Sequence, residues 1–417
     1  MTLLLAILAP ACTSSKVELS GDCDAGTHNS GGECVPDEDS GGDADTDADA
    51  DTDADADTDV DADTDTDTDT DTDTDTGTAP QYTVCDDGVS PYASLQDAVD
   101  SSRDGDTITV CPGTYRAVTI SSLALTIEGV AGSGSTVIDG GTQPAVSLQS
   151  GTLTLTGFTL RGEPGTLEAG AVRLEDSDVE IDDCEISGSE ASSSSTSSMA
   201  IYVTGGSVTV GDSRFEGNSL TYLVYIDGGA SCELYHNLIT GNAEDSSGAG
   251  GLVVYAASGD VEMYNNVVAG NSASSYSAMV AVGSNSSNAS LYNNLFWGNV
   301  VNPSGRGVVD LQGTSIFENN IVASNDGTGV SGASTASVEY NDAWDNTVAN
   351  FALDETTSAT NLQMDPRLLD PGAGDYEIDG GRSPCVDAGA PLAGYNDVAG
   401  SRNDLGAFGG PSGLWTP

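Results

Sequence analysis

Three observations predict that this chain folds as an all-β solenoid, a parallel β-helix of about nine coils. One phrase recurs, as in "MYNNVVAGN" at 263–271 and "LYNNLFWGN" at 291–299. Its copies lie 22 to 29 residues apart, which is the length of one structural repeat. Within each copy, apolar and polar residues alternate as they do in a half-buried strand.

The second Asn of the phrase marks the centre of each coil. The nine centres are Val130, Phe158, Cys184, Ser213, Asn237, Asn266, Asn294, Asn320 and Asp342. The residue before each centre is Gly, Asp, His or Asn; these types tolerate a left-handed backbone, so each coil should turn there. Apolar residues stand three before the centre and two after it, the latter from Leu160 to Trp344. They predict inward strand positions, with three short strands per coil over residues 80–350.

The centre position also predicts a buried polar ladder, in which each side-chain amide bonds to the amide of the next coil. Its members are Asn237, Asn266, Asn294 and Asn320. In the early coils, Val130, Phe158 and Cys184 should fill the same slot with apolar groups. Because Cys184 and Cys232 fall in buried columns, we interpret both as small core residues rather than as ligands or nucleophiles.

The N-terminus, "MTLLLAILAPAC", is a short apolar run that ends in small residues and a cysteine. It is too short to span a bilayer and indicates an export signal over residues 1–11. The run resembles a bacterial lipoprotein signal, which implies acylation of Cys12, a membrane anchor and an outer-membrane, cell-surface location. An ordinary secretory signal, and hence a secreted protein, is the alternative.

An acidic spacer separates a short cysteine-containing segment, residues 12–42, from the repeats. Asp occupies every second position from 43 to 75, 17 in all, with Thr, Ala and one Val between them. Like charges and the lack of a core predict that residues 43–79 form a disordered linker. The run lacks the Gly and the distal Glu of a calcium loop, so we expect diffuse calcium binding at most, and no cofactor or discrete metal site.

The charge of the chain limits its partners. Ten Lys and Arg residues stand against 66 Asp and Glu, a net charge of −56. Such a surface repels phosphate backbones, which argues against nucleic acid. Polysaccharides, surface proteins and cations remain as possible binding partners.

Exported chains use their cysteines in disulfides. Cys23 and Cys34 bracket a Gly-rich loop that one bridge would close. Cys85 and Cys111 end two similar runs, "YTVC" and "ITVC", so we expect a second bridge between adjacent strands.

The ends of a solenoid need covering, because an open end exposes strand edges and core. Residues 81–115 predict a strand, then a short amphipathic helix from Leu95 to about Ser102 with Ser94 as N-cap, then the stretch "DGDTITVCPGTY". This stretch resembles the N-terminal cap of secreted right-handed parallel β-helix proteins, the group that includes pectate lyases. The resemblance implies a right-handed helix and, in many members, cleavage of polysaccharides.

Three motifs mark the last segment, residues 351–417. They are Gly-Asp-Tyr at Gly374–Tyr376, Ser-Pro-x-x-Asp-Ala-Gly at Ser383–Gly389 and Asp-x-Gly-Ala-aromatic at Asp404–Phe408. In this order they resemble the terminal module of bacterial surface β-helix proteins often called choice-of-anchor. Cys385 takes a position that is small and apolar in that module. We expect this segment to cap the second, C-terminal end of the solenoid.

The signatures of polysaccharide-cleaving β-helix enzymes are incomplete here. A Lys base is excluded within the body, since Lys16 is the only lysine, and the arginines are scattered without an adjacent Asp cluster. Of the polygalacturonase-type signatures only Asp182-Asp183 is present, and His236 is explained as a turn residue. The sequence therefore favours a non-catalytic protein, with a polysaccharide lyase or glycoside hydrolase as the alternative.

One outward column is a candidate binding site. Tyr235, Tyr264 and Tyr292 stand two residues before three successive centres, and Glu233 and Glu262 lie beside them. The column fits a Tyr stack that stiffens the sheet, a strip that binds glycan or a partner, or a carboxylate pair of a retaining glycosidase, in that order of preference. Further outward aromatics are Trp297, Tyr202 and Tyr225. We therefore predict a cell-surface lipoprotein whose β-helix binds glycan or another surface.

Overall fold

The computed structural model of the protein describes residues 27–30, 33–36, 82–85, 88–164, 169–191, 198–245, 250–273, 277–282, 288–302, 306–332, 335–354 and 357–417. The predicted signal, Cys12, Cys23 and the linker 43–79 lie outside them. Strands Thr27–Ser30 and Glu33–Pro36 pair as an antiparallel hairpin within a unit of residues 1–74. Cys34 lies in this hairpin, but its side chain is outside the described set.

The chain from Tyr82 onward winds into a parallel β-solenoid with three strand series, which we call sheets 1, 2 and 3. Sheet 1 contains Tyr82–Val84, Asp106–Val110, Ala124–Gly129, Thr152–Thr156, the second halves of Ala169–Asp182 and Met199–Gly211, Ala230–Tyr235, Gly259–Tyr264, Ala289–Tyr292, Ile316–Glu318 and Ser337–Glu339. Sheet 2 contains Gly113–Arg116, Thr136–Asp139, Thr159–Arg161, Glu185–Ser187, Arg214–Glu216, Leu238–Thr240, Val267–Ala269, Leu295–Trp297, Ile321–Ala323 and Asp342–Trp344. Sheet 3 contains Val118–Ser121, Val146–Gln149, the first halves of Ala169–Asp182 and Met199–Gly211, Tyr222–Asp227, Gly251–Ala256, Ala278–Val282, Val309–Leu311, Thr328–Gly332 and Ala349–Leu353. The predicted fold class is confirmed.

Short elements complete the chain. A parallel pair joins Ser219–Leu220 to Ala243–Glu244, and an antiparallel pair joins Leu368–Asp370 to Asp375–Ile378. Two 3-10 turns cover Pro371–Ala373 and Ala393–Tyr395. No helix among the described residues has the length and apolar character to cross a membrane.

Apolar columns fill the inside of the solenoid because strand alternation is in register from coil to coil. Leu155 pairs with Ile181, and Phe296 pairs with Val322, and all four side chains are fully buried. The residue before each centre has a left-handed backbone from Gly157 to Asn319, with φ between 46° and 79°. Gly129, in the first predicted coil, and Asn341, in the ninth, are the exceptions.

The repeat assignment is wrong at its two ends. Val130 is 59% exposed, because it enters the turn that follows Gly129 instead of pointing inward. In the ninth coil, Val322 pairs with Ala343, so Ala343 faces the core and Trp344 is 38% exposed. The centre there is Asn341 rather than Asp342, because Asn341 continues the amide ladder.

Two amide ladders hold the turns. The Nδ2 group of Asn266 donates to Oδ1 of Asn294 at 2.9 Å, and the contact repeats from Asn237 to Asn361. A second ladder was not predicted from the sequence. The recurring phrase nevertheless ends in Gly-Asn, and this Asn is the ladder residue. Its members are Asn218, Asn242, Asn271, Asn299, Asn325, Asn346 and Asn350. Each buried amide thus has partners above and below.

A helix covers the first end of the solenoid. It spans Leu95–Ser101, the Ser94 side chain accepts a hydrogen bond from the Asp97 N–H, and its apolar side is buried against the first strands. Cys85 and Cys111, at the ends of neighbouring strands of sheet 1, are joined by a disulfide. Cys184 and Cys232 are free thiols buried in the core.

The C-terminal module, residues 366–417, packs against the side of the solenoid and not across its end. The outward residues of late sheet 2 strands are apolar, whereas Glu185 and Arg214 occupy that column in earlier coils. The residues in this contact are Leu238, Val267, Leu295, Ile321, Cys385, Leu405, Ala407, Phe408 and Trp415. Turn residues of the solenoid also form hydrogen bonds to the module. Asn265 Nδ2 donates to the carbonyls of Ala407 and Gly409 at 2.9 and 2.8 Å. The predicted position at the second end is therefore wrong.

Candidate functional site

The predicted Tyr strip lies on the outward side of sheet 1. Tyr235, Tyr264 and Tyr292 are register partners on neighbouring strands. The ring centroids of Tyr235 and Tyr264 are 5.4 Å apart at 9°, and those of Tyr264 and Tyr292 are 5.1 Å apart at 2°. Parallel rings this close overlap in an offset stack instead of lying side by side. Each ring therefore covers the face of its neighbour.

Two carboxylates brace this stack. The Tyr264 hydroxyl donates to Glu233 Oε1 and the Tyr292 hydroxyl donates to Glu262 Oε1, both at 2.7 Å and both reaching back one coil. Burial, and then the hydrogen bond to glutamate, raises the pKa of both tyrosines. The glutamates thus serve as acceptors for tyrosine hydroxyls, as a stiffening stack requires. A glycan-binding or catalytic role for these residues stays a prediction.

The stack is closed at its ends. The Tyr235 ring lies over Gly211, where an added Cβ would come within 2.6 Å of ring atom Cε2. At the other end, the ring of Tyr395, from the C-terminal module, lies 6.4 Å from that of Tyr292. His236, beside Tyr235, stacks on Trp415 at 5.4 Å. The strip therefore presents ring edges and hydroxyls to solvent rather than ring faces.

A second aromatic column runs along the outward side of sheet 3. In register order it contains Thr119, Ser147, Arg173, Tyr202, Tyr225 and Tyr255. Buried residues flank each of the last four, because strand alternation sends every second side chain outward. We call Arg173, Tyr202, Tyr225 and Tyr255 the arginine–tyrosine strip.

The rings of the arginine–tyrosine strip are tilted rather than stacked. The Tyr202 and Tyr225 centroids are 5.6 Å apart at 57°, and those of Tyr225 and Tyr255 are 5.5 Å apart at 52°. Rings inclined by more than 50° do not form a parallel stack. All three are half-buried, so each ring keeps part of its surface in solvent.

A buried tyrosine packs against this strip. Tyr222 stacks on Tyr255 at 5.3 Å and 16° and meets Tyr225 at 55°. Gly250 leaves room for the pair, since a Cβ there would lie 2.7 Å from Tyr255 and 2.8 Å from Tyr222. Burial raises the pKa of Tyr222 to about 12 and raises that of Tyr225 as well, so both hydroxyls stay protonated at neutral pH.

Arg173 joins the strip to a polar depression. Its Nε and Nη2 donate to Glu175 Oε1 at 2.9 and 2.7 Å, and its Cζ lies 5.4 Å from the Tyr202 ring centre, a cation–π contact. Two shallow depressions of about 420 and 240 Å³ adjoin it. Their walls carry hydroxyl and amide groups, from Thr119, Gln143, Ser147, Ser121 and Gln149.

Three carboxylates gather in the C-terminal module. Ligand oxygens of Asp387, Asp397 and Asp404 lie within 4.8 Å of one another. Asp397 accepts the Asp404 and Gly410 N–H groups, and Asp404 accepts the Asp387 N–H. Burial raises the pKa of Asp404, although the Asp387 N–H opposes that rise. These bonds fix the loops of the module.

In the sequence, Arg173 stands out from the other scattered arginines only through its position in a strand. A signal for it is present in the strands "AVRL", "AIYV", "LVYI" and "VVYA". Each of these strands has Arg or Tyr between two apolar residues, at the same position in its coil. These four residues are neighbours because the strands of sheet 3 pair in register. The recurring phrase lies in sheet 1 and does not predict that register.

Comparisons with known proteins bear on the fold. The family model described as a right handed beta helix region matches residues 138–320. The chain thus contains a right-handed β-helix. No curated protein matches the sequence at a significant level.

Solved structures that resemble the chain have low identity. A pectate lyase aligns with TM-score 0.45 and 12% identity, covering 76% of this chain and 91% of that one. A pectin methylesterase in complex with a hexasaccharide aligns with TM-score 0.33 and 12% identity, covering 72% and 99%. A mannuronan C-5 epimerase A-module from Azotobacter vinelandii aligns with TM-score 0.27 and 17% identity, covering 65% and 94%.

Proposed function

We propose that the protein is a non-catalytic β-helix that binds a neutral glycan along the arginine–tyrosine strip. The observation that carries this proposal is the tilt of Tyr202, Tyr225 and Tyr255, whose rings are half-buried and do not form one parallel stack along the strip. A sugar packs its apolar C–H face on such a ring. The stacked rings of Tyr235, Tyr264 and Tyr292 offer no comparable face.

The spacing of the strip suits a polymer. One ring stands on each coil, and successive centroids are 5.5 to 5.6 Å apart. An extended β-linked pyranose chain advances by a similar distance per sugar, so consecutive residues could each meet one tyrosine. Beside the rings, Arg173 and the hydroxyl and amide groups of the depressions supply hydrogen-bond partners for sugar hydroxyls.

Charge favours a neutral ligand over an acidic one. The chain carries −56, and the guanidinium of Arg173 is already paired with Glu175. A polyuronate would meet net repulsion without a free cation on the strip.

Two carboxylates beside the rings have other roles, which supports binding without catalysis. Glu175 accepts two hydrogen bonds from Arg173. Asp227 accepts the Gly228 N–H at 2.8 Å and the Ser258 hydroxyl at 2.9 Å. A glycosidase needs one carboxyl group as acid and a second as base or nucleophile, both free to face the substrate.

Glycan binding by the full-length protein tests the proposal. A neutral-glycan array identifies a ligand, and titration calorimetry then compares wild type with Tyr202→Ala and with the matched Tyr264→Ala. We expect about a tenfold loss for Tyr202→Ala, equivalent to about 1.4 kcal/mol, and little change for Tyr264→Ala. Equal losses of affinity in both variants, or a loss only in Tyr264→Ala, would contradict the proposal and indicate that the strip of Tyr235, Tyr264 and Tyr292 takes part in binding. Reducing ends or unsaturated uronates released from any polysaccharide would instead establish an enzyme.

We also propose that the protein is exported and anchored through lipid on Cys12, with residues 43–79 as a spacer that holds the β-helix away from the membrane. The signal-like run 1–11 and the alternating Asp positions support this location. A Cys12→Ser protein should leave the membrane fraction and appear in the soluble one. If it stays with the membrane, lipid on Cys12 is not the anchor.

A further inference from the structure

At the second end of the solenoid, the described residues leave the last strand of sheet 3 uncovered. Phe351 continues an inward column whose preceding members, Val280, Val309 and Val330, are fully buried. Phe351 and Leu353 are only half-buried, although they pack on the same core. At the first end, by contrast, the helix Leu95–Ser101 covers the core. The apolar interior therefore reaches solvent at the strand Ala349–Leu353.

This last strand of sheet 3 is also an unpaired edge. Among the described residues it pairs on one side only, with Thr328–Gly332. Its other side presents backbone N–H and C=O groups that can accept a further strand. The sequence "ANFAL" contains neither a charged residue nor a proline, the usual protections of an edge strand.

Acidic residues lie in the turns before and after this strand. Asp354 follows the strand directly, and Asp326 and Asp345 lie in the turns of the last coils; all three are exposed. None takes part in the ion pairs of the described residues. An incoming strand with basic side chains would therefore meet complementary charge, whereas a second copy of this chain would bring like charges together.

We propose that Ala349–Leu353 is a docking site for an extended basic strand of another protein, which adds to the solenoid as its next rung. Alternate side chains of that strand would be apolar and would cover Phe351 and Leu353. The intervening side chains would be basic and would lie on the outward side, where Ala352 is exposed.

A designed peptide probes this edge in the full-length protein. The peptide KVKVKVK, with blocked ends, should bind at 150 mM salt and slow hydrogen exchange at residues 349–353. A peptide of the same composition without alternation, KKKKVVV, should bind at least about tenfold more weakly, since its apolar residues cannot share one face. Ala352→Lys should weaken KVKVKVK binding at least about tenfold through like charge. Thr119→Lys, in the same outward column at the first end, is the matched control and should not.

Three other results would overturn the proposal. Equal binding by wild type, Ala352→Lys and Thr119→Lys, or by both peptides, would indicate diffuse attraction to acidic residues. Thermal unfolding checks that both variants remain folded, and lack of exchange protection at 349–353 would place any binding elsewhere. Concentration-dependent dimers that Ala352→Lys abolishes would identify a second copy as the occupant. The glycan titration does not involve this edge, so the two proposals fail independently.

Discussion

Asp342 is a buried carboxylate in the joint between the solenoid and the C-terminal module. It follows Ile321 in the outward column of sheet 2 and has no exposed surface. One oxygen accepts the Met364 N–H at 3.0 Å, and the other accepts the Cys385 thiol at 3.4 Å. Among the described residues, no basic group pairs with Asp342, whereas Asp365 adds negative charge nearby. We predict that Asp342→Asn stabilises the protein at neutral pH.

The size of the effect follows from the pKa. Burial raises the pKa of Asp342 from 3.8 to about 6. A shift of this size corresponds to about 3 kcal/mol, since each pKa unit is worth about 1.4 kcal/mol. The folded state binds the proton more tightly than the unfolded state, so this contribution to stability is full below pH 3.8. It falls as pH rises and is lost above about pH 6. Asn removes the charge and can still accept the Met364 N–H.

Hydrogen exchange of residues 383–409, corrected for intrinsic rates, measures opening of the joint. At pH 7.5 the Asp342→Asn protein should open up to about 100-fold less often than wild type, which is the exchange equivalent of about 3 kcal/mol. Near pH 3.5 the two proteins should coincide. Asp345→Asn, which removes an exposed carboxylate three residues away, should follow wild type throughout. The reasoning is refuted if Asp342→Asn opens as often as wild type at pH 7.5, or if the difference persists at pH 3.5.

Three further changes test other parts of the molecule. Asn294→Leu should cost at least about 3 kcal/mol in urea unfolding, because it orphans buried amide partners in two neighbouring coils; the exposed Asn288→Leu should cost far less. Replacing Cys85 and Cys111 by Ala should lower the free energy of unfolding by about 3–4 kcal/mol, from the entropy of a loop with separation 26; an unchanged urea midpoint would contradict this. Gly250→Ala should push the Tyr255 ring aside and weaken glycan binding about fivefold, or about 1 kcal/mol, at an unchanged melting temperature.

The sequence was sufficient for the repeating part of the fold, because the repeat is itself a set of physical constraints. Left-handed turns accept few residue types, and a buried amide needs a like partner in the next coil. Positions such as Asn266 and Phe296 could therefore be placed by inspection. The same logic failed at Val130 and Asp342, because no further copy of the phrase follows on one side to fix the register in the sequence.

The lateral position of the C-terminal module was missed, although the sequence contains a signal for it. In sheet 2, Leu238, Val267, Leu295 and Ile321 each precede an inward apolar residue, so the late strands are apolar on both faces. Strands that are apolar on both faces are covered on both faces. The earlier coils carry Glu185 and Arg214 in that column, which limits the covered region to the later coils.

The two tyrosine columns show why the candidate site could not be chosen from the pattern alone. Both place one tyrosine outward on each of three successive coils. On sheet 1, a glutamate one coil back accepts each of two hydroxyls and draws the rings into a parallel stack. On sheet 3, the buried Tyr222 packs against both Tyr225 and Tyr255, and the outer rings are inclined to one another. Ring orientation, and with it the access of a sugar to a ring face, is thus decided by neighbours that lie outside the repeating column.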